Sequence, residues 1–153
     1  MAAPARDLNV IAALIESFRT WGYDGTSLKR ISEATGLARA SLYHRFPEGK
    51  AQMAEAVMDV AYQWMDTEAL SPLRDETLEP RERIGRMTGL LNDFYDGGKK
   101  ACLLDALTLG EADTPLRAAA KGVMDIWIEA MAALARAEGA SATEALARAE
   151  DAV

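Results

Sequence analysis

The chain has 153 residues, half of them hydrophobic and 27% charged, which is enough to bury one domain's core and too ordered a composition for a disordered chain. One cysteine and one histidine exclude an internal disulfide framework, a cysteine-based zinc site and most histidine-based metal sites. The formal charge of -7 is unevenly spread: residues 1–50 carry seven Lys/Arg against five Asp/Glu, and residues 51–153 carry ten against nineteen. The opposite signs predict different tasks for the two parts, with only the first suited to a polyanion. No apolar stretch approaches a membrane span and no signal-peptide pattern opens the chain, so a reducing cytoplasm is the expected home.

The periodicity predicts helices nearly throughout and no strand. Leu8, Ile11, Ala12, Leu14, Ile15 and Phe18 form one stripe of a first helix, broken at Trp21-Gly22-Tyr23-Asp24-Gly25. Thr26 or Ser27 caps a short second helix with Leu28, Ile31 and Ala34 inward, and Gly36 stops it. A third short helix runs from Ala38 to Phe46, with Leu42 and Phe46 facing in and Pro47 ending it. Met53, Ala54, Val57, Met58, Ala61, Trp64 and Met65 mark a longer helix, and residues 71–80 read as a polar loop. Another helix starts near Arg81, with Ile84, Met87, Leu90, Leu91, Phe94 and Tyr95 apolar, and stops at Gly97-Gly98. Residues 101–109 form a shorter apolar segment closed by Gly110. Thr114-Pro115 opens a helix to Ala137, Gly139 ends it, and Ser141 or Thr143 begins the last.

Residues 26–46 therefore read helix, tight turn, helix, with two elements too short to stand alone. The outer face of the third helix is polar where a packing face would be apolar. Arg39 can bond guanine bidentately, Ser41 and His44 can meet base edges or phosphates, and Ala40 permits close approach to a groove floor. Tyr43 and Arg45 are placed for phosphates, and Lys50 adds a cation at the next helix's start.

Thr26-Ser27-Leu28, Ile31-Ser32, Ala34, Gly36-Leu37, Leu42-Tyr43, Phe46-Pro47 and Lys50, with Gly22-Tyr23 ahead of them, resemble the DNA-binding domain of the TetR family of transcriptional repressors across roughly residues 8–65. The resemblance implies an all-α chain with a three-helix DNA-binding head at 1–47 and a helical effector-binding and dimerisation body at 48–153. It implies a homodimer on a near-palindromic double-stranded operator, released by a small, mostly apolar effector. Thr26, Ser27 and Lys29 join Arg39, Ala40, Ser41, Tyr43, His44, Arg45 and Lys50 as the expected DNA-binding set. Met87, Leu91, Phe94, Tyr95, Leu103, Leu104, Leu107, Met124, Trp127 and Met131 are the expected effector-pocket set. Two departures stand out: Ala38 occupies a place where the family often has a Ser or Thr cap, and the chain ends where family members continue for a further bundle helix.

Bland readings compete with these. Each apolar pocket residue can be ordinary core, Cys102 reads as a small buried hydrophobe, and the acidic residues read as a solvated face. No catalytic motif or glycine-rich phosphate loop is present, so no enzyme activity, cofactor or membrane partner is expected. The competing functional class is a dimeric interaction protein of the same fold that does not bind an operator.

Overall fold

The computed structural model describes residues 8–109 and 114–153, all helices, turns and connections with no strand among them. The expected helix stop at Gly110 and the expected cap at Thr114 lie outside the residues or side chains described. The chain divides into two compact units, Met1–Val60 with Lys100–Ala120, and Ala61–Lys99 with Lys121–Val153.

The first unit begins with α1, Leu8–Gly25. Its buried face is Val10, Ile11, Leu14, Ser17 and Phe18, while Ala12 is exposed and Leu8 is 73% exposed. The stripe is therefore rotated from the one expected. Ser17 can enter it because its hydroxyl donates to the Ala13 carbonyl at 2.7 Å, so no polar group is left bare. The predicted break falls at Gly22 alone, after which one more helical turn follows. Gly22 has φ 66° and ψ 176°, a region that only glycine populates readily. A Cβ there would also stand 3.6 Å from the Ala106 carbonyl oxygen. Gly22→Ala is expected to cost about 1–3 kcal/mol in chemical denaturation. A change below a few tenths would show that the kink is not required.

Helix α2 spans Leu28–Thr35 and α3 spans Arg39–Arg45. Ser27 caps α2 by accepting the Arg30 amide, and Gly36 ends it in the left-handed region at φ 68°, ψ 8°. Ile31 is the residue α2 buries; Ala34, expected inward, is exposed. Ala38 occupies the N-cap of α3 without a side-chain bond, as its chemistry dictates. Helix α4, Lys50–Trp64, buries Met53, Ala54, Val57 and Met58. Further along, α6 (Leu103–Thr108) packs on α1 and buries Leu103 and Leu107. The first unit is thus larger than the head expected at 1–47: it takes in α4 up to Val60, and α6.

In the second unit α4 passes into a π-helical turn, Met65–Ala69, followed by a 3-10 turn, Ser71–Arg74. Met65, Ala69, Leu70 and Leu73 are buried there. The loop expected at 71–80 therefore shrinks to its second half. The Asp75 carboxylate accepts the hydroxyl and amide protons of Thr77, which hold it below its usual pKa. Helix α5, Pro80–Phe94, buries Met87 and leaves Ile84 and Leu90 exposed, although both sit on its apolar stripe. Helix α7 runs Thr114–Ala137 and belongs to this unit from Lys121 on, and α8 runs Ala142–Ala152. Ser141 caps α8 by accepting the Glu144 amide, and Ala132, Ala145 and Ala149 form a small-residue core ringed by Ile128, Met131, Ala135 and Ala140. No helix among the described residues is long and apolar enough to cross a membrane.

Candidate nucleic-acid interface

The helix-turn-helix segment is held by few but specific contacts. Within α2, the Ser32 hydroxyl donates to the Leu37 carbonyl, and the Thr35 hydroxyl donates to Ile31 O at 2.7 Å while accepting the Leu37 amide at 3.3 Å. The turn between α2 and α3 is thereby fixed by side chains of α2 itself. Helix α3 then rests on one buried residue, Leu42; Arg39, Ala40, Ser41, Tyr43, His44 and Arg45 are all exposed. A seven-residue helix with a single anchor and six solvent-facing positions is presented, not packed. Its exposed face combines a small residue with hydroxyl, imidazole and guanidinium groups, the chemistry that meets base edges and phosphates.

The remaining expected contacts divide. Ser27 is exposed and its hydroxyl is committed to the α2 cap. Lys29 is exposed, with Glu33 at 3.9 Å; such a pair in open solvent constrains the ammonium little. Thr26 does not fit the interface. It is fully buried, and its hydroxyl lies 2.6 Å from Gly22 O and 3.2 Å from Ser17 O. A threonine with no exposed atom locks the α1–α2 junction and offers no surface to DNA. Lys50 is half-buried and directs its ammonium to the Tyr23 carbonyl at 2.8 Å, with the Tyr23 ring at 4.3 Å. Arg30 likewise turns back, donating to Gly25 O and lying 4.0 Å from the ring of Trp21. Lys50, from the expected set, and Arg30 of α2 are therefore engaged with the head itself. Hydropathy periodicity cannot detect that engagement, because the acceptors are backbone carbonyls.

The expected effector-pocket residues fall in both units. Leu103, Leu104 and Leu107 belong to α6, where Leu103 and Leu107 are head core. Met87, Leu91, Phe94, Tyr95, Met124, Trp127 and Met131 belong to the second unit. There Trp64 stacks on Phe94 at 3.9 Å between centroids, and Tyr95 meets Phe94 edge-on at 5.1 Å. The indole N–H of Trp127 is buried and has no hydrogen-bond partner among the described residues. Two open grooves flank Leu134. One, of about 380 Å³, is bordered by Leu73, Arg74, Arg83 and Glu129; the other, of about 500 Å³, by Arg81, Ile84, Met131 and Arg148. Met131 is the member of the expected set that borders one of them.

Residues 10–57 match the family model described as bacterial regulatory proteins, tetR family. Over 52 residues the chain is 40% identical to the HTH-type transcriptional regulator LmrA of Bacillus subtilis (strain 168), a stretch covering 33% of this chain and 28% of that protein. Among solved structures, the TetR transcriptional regulator from Legionella pneumophila superposes with a TM-score of 0.84 at 19% identity, covering 99% of this chain and 82% of that one. The regulatory protein TetR from Rhodobacter sphaeroides gives 0.81 at 24% identity, covering 94% and 80%. At these identities the superpositions establish the fold, and the sequence matches cover about a third of the chain.

Proposed function

From the match of residues 10–57 to the tetR family of bacterial regulatory proteins, we propose that the chain is a TetR-family transcriptional repressor that binds an operator with α3 in the major groove. The observation that carries this reading is α3 itself: Leu42 anchors it, and Arg39, Ala40, Ser41 and His44 face solvent together. Arg39 and Ser41 read base edges and Ala40 gives clearance, while Tyr43, Arg45 and Lys29 meet phosphates. Two chains act together, placing their α3 helices in successive major grooves about 34 Å apart on a near-palindromic site. The exposed Ile84, Leu90 and Leu146 of the second unit supply apolar surface for pairing.

The second unit takes the effector. The aromatic cluster of Trp64, Phe94 and Tyr95 suits an apolar ligand, and the Trp127 N–H, unpartnered among the described residues, suits one that carries an acceptor oxygen. Release of DNA follows only from differential affinity for the two states, so the effector binds the DNA-incompetent arrangement more tightly.

The test is selection of a preferred duplex from a randomised pool, followed by Arg39→Ala. The variant is expected to lose about 1–3 kcal/mol of discrimination at one base position. Equal weakening on every sequence would remove Arg39 from base reading, and failure of the unaltered chain to enrich any sequence would overturn the operator-binding role.

A further inference from the structure

The helix-turn-helix leaves the head and returns to it at one place. Its entry is the turn after the Gly22 kink, where Thr26 reaches Gly22 O and Ser17 O and Ser27 caps α2. Its exit is the four-residue link 46–49 between α3 and α4. There the Phe46 amide donates to Leu42 O at 2.8 Å, the Gly49 amide to Phe46 O at 2.8 Å, and Gly49 takes φ 69°. Tyr43 lies against this link, since a Cβ on Gly49 would stand 3.6 Å from Tyr43 Cε1. Lys50 is the first residue of α4, and its ammonium donates to the Tyr23 carbonyl, 27 positions back, at 2.8 Å.

That bond joins exit to entry. Resting on the DNA-binding reading above, we propose that Lys50 is a positioning residue for recognition: its bond to the Tyr23 carbonyl closes residues 23–50 into a ring that fixes how α3 is presented. The physical case has three parts. Helices α2 and α3 bury Ile31 and Leu42 respectively, so packing alone constrains their tilt weakly. A cation bonded to a carbonyl and set over the Tyr23 ring is stronger than a neutral hydrogen bond and less free to swing toward a phosphate. Closing the ring in the free protein also orders the segment before DNA arrives, so that cost does not weaken docking.

A phosphate contact and a clasp give opposite results in one experiment on the full chain. Lys50→Met keeps the stem over Tyr23 and removes the ammonium; Lys50→Arg keeps a cationic donor. Binding is measured on random duplex across a salt series and on the selected duplex. For Lys50→Met the clasp predicts an unchanged salt slope on random DNA and a preference for the selected duplex reduced by about tenfold, the scale of one charge-assisted hydrogen bond. Lys50→Arg restores most of that preference. A slope shallower by about 0.9 for each bound head, about 1.8 for a pair, would make Lys50 a phosphate contact and overturn the proposal. A lower Tm with the preference intact would make it a stability element only, and would overturn it equally.

Amide exchange in the absence of DNA, well below the unfolding temperature, separates this proposal from the reading it rests on. Lys50→Met is expected to speed exchange at Thr26, Phe46 and Gly49. Unchanged exchange there would overturn the clasp even if the unaltered chain binds DNA. If the unaltered chain binds no DNA, the positioning role falls with the operator-binding reading, and exchange still decides whether the ring is closed.

Discussion

Phe18→Ala is expected to destabilise the first unit by about 3–5 kcal/mol, the range for removing a buried aromatic from a core that cannot collapse onto the void. Phe18 is fully buried in α1, and its ring lies near-parallel to that of Tyr23 with centroids 6.2 Å apart. It belongs to the unit whose buried residues include Leu14, Ile31, Leu42, Met53 and Val57. The loss is disproportionate because the helix-turn-helix has so little core of its own: Ile31 and Leu42 are the buried side chains that α2 and α3 supply. Against a typical total of about 5–15 kcal/mol, the change removes a large share of the stability. Urea denaturation followed by circular dichroism measures it as a fall in midpoint at constant slope. A loss below about 1 kcal/mol would place the head's core elsewhere than around α1.

How much of this was legible in the sequence follows from what each signal measures. Local backbone chemistry was readable: Gly22 and Gly36 fall where the chain needs positive φ, and Ser27 and Ser141 sit at the helix starts their side chains predict. The family motif, Thr26 to Lys50, carried the fold of the head. Three things were not readable. Ser17 is polar and buried, so the stripe of α1 was placed too far to one side; its hydroxyl is satisfied by a carbonyl of its own helix. Leu70 and Leu73 sit inside a proline-containing polar stretch, which hid the π and 3-10 turns that bury them. The apolar stripe of α5 predicted burial, yet Ile84 and Leu90 are exposed, because periodicity identifies an apolar face without saying what covers it. At the interface, residue type named the chemistry of α3 well. It could not show that Thr26 points inward or that Arg30 and Lys50 bond backbone carbonyls, since those partners are set by tertiary geometry.

Affinity for random duplex DNA is expected to fall by about a thousandfold between 50 and 200 mM salt if two heads dock together. Lys29, Arg39 and Arg45 are exposed cations of α2 and α3. Two heads bring six of them to the duplex, and the release of condensed counterions then gives a slope of log affinity against log salt near -5. One head alone would give a slope of about -3 and a loss nearer fortyfold. The acidic remainder of the chain, nineteen Asp/Glu against ten Lys/Arg over residues 51–153, opposes any contact beyond the heads and holds the slope near these values. Fluorescence anisotropy of a labelled duplex across the salt series, with light scattering for the stoichiometry, distinguishes the cases. A steep slope with two chains per duplex joins the paired-head arrangement to the exposed face of α3. A slope near zero would mean that α3 presents its guanidinium and imidazole groups to something other than DNA, and the interaction-protein class would replace the repressor.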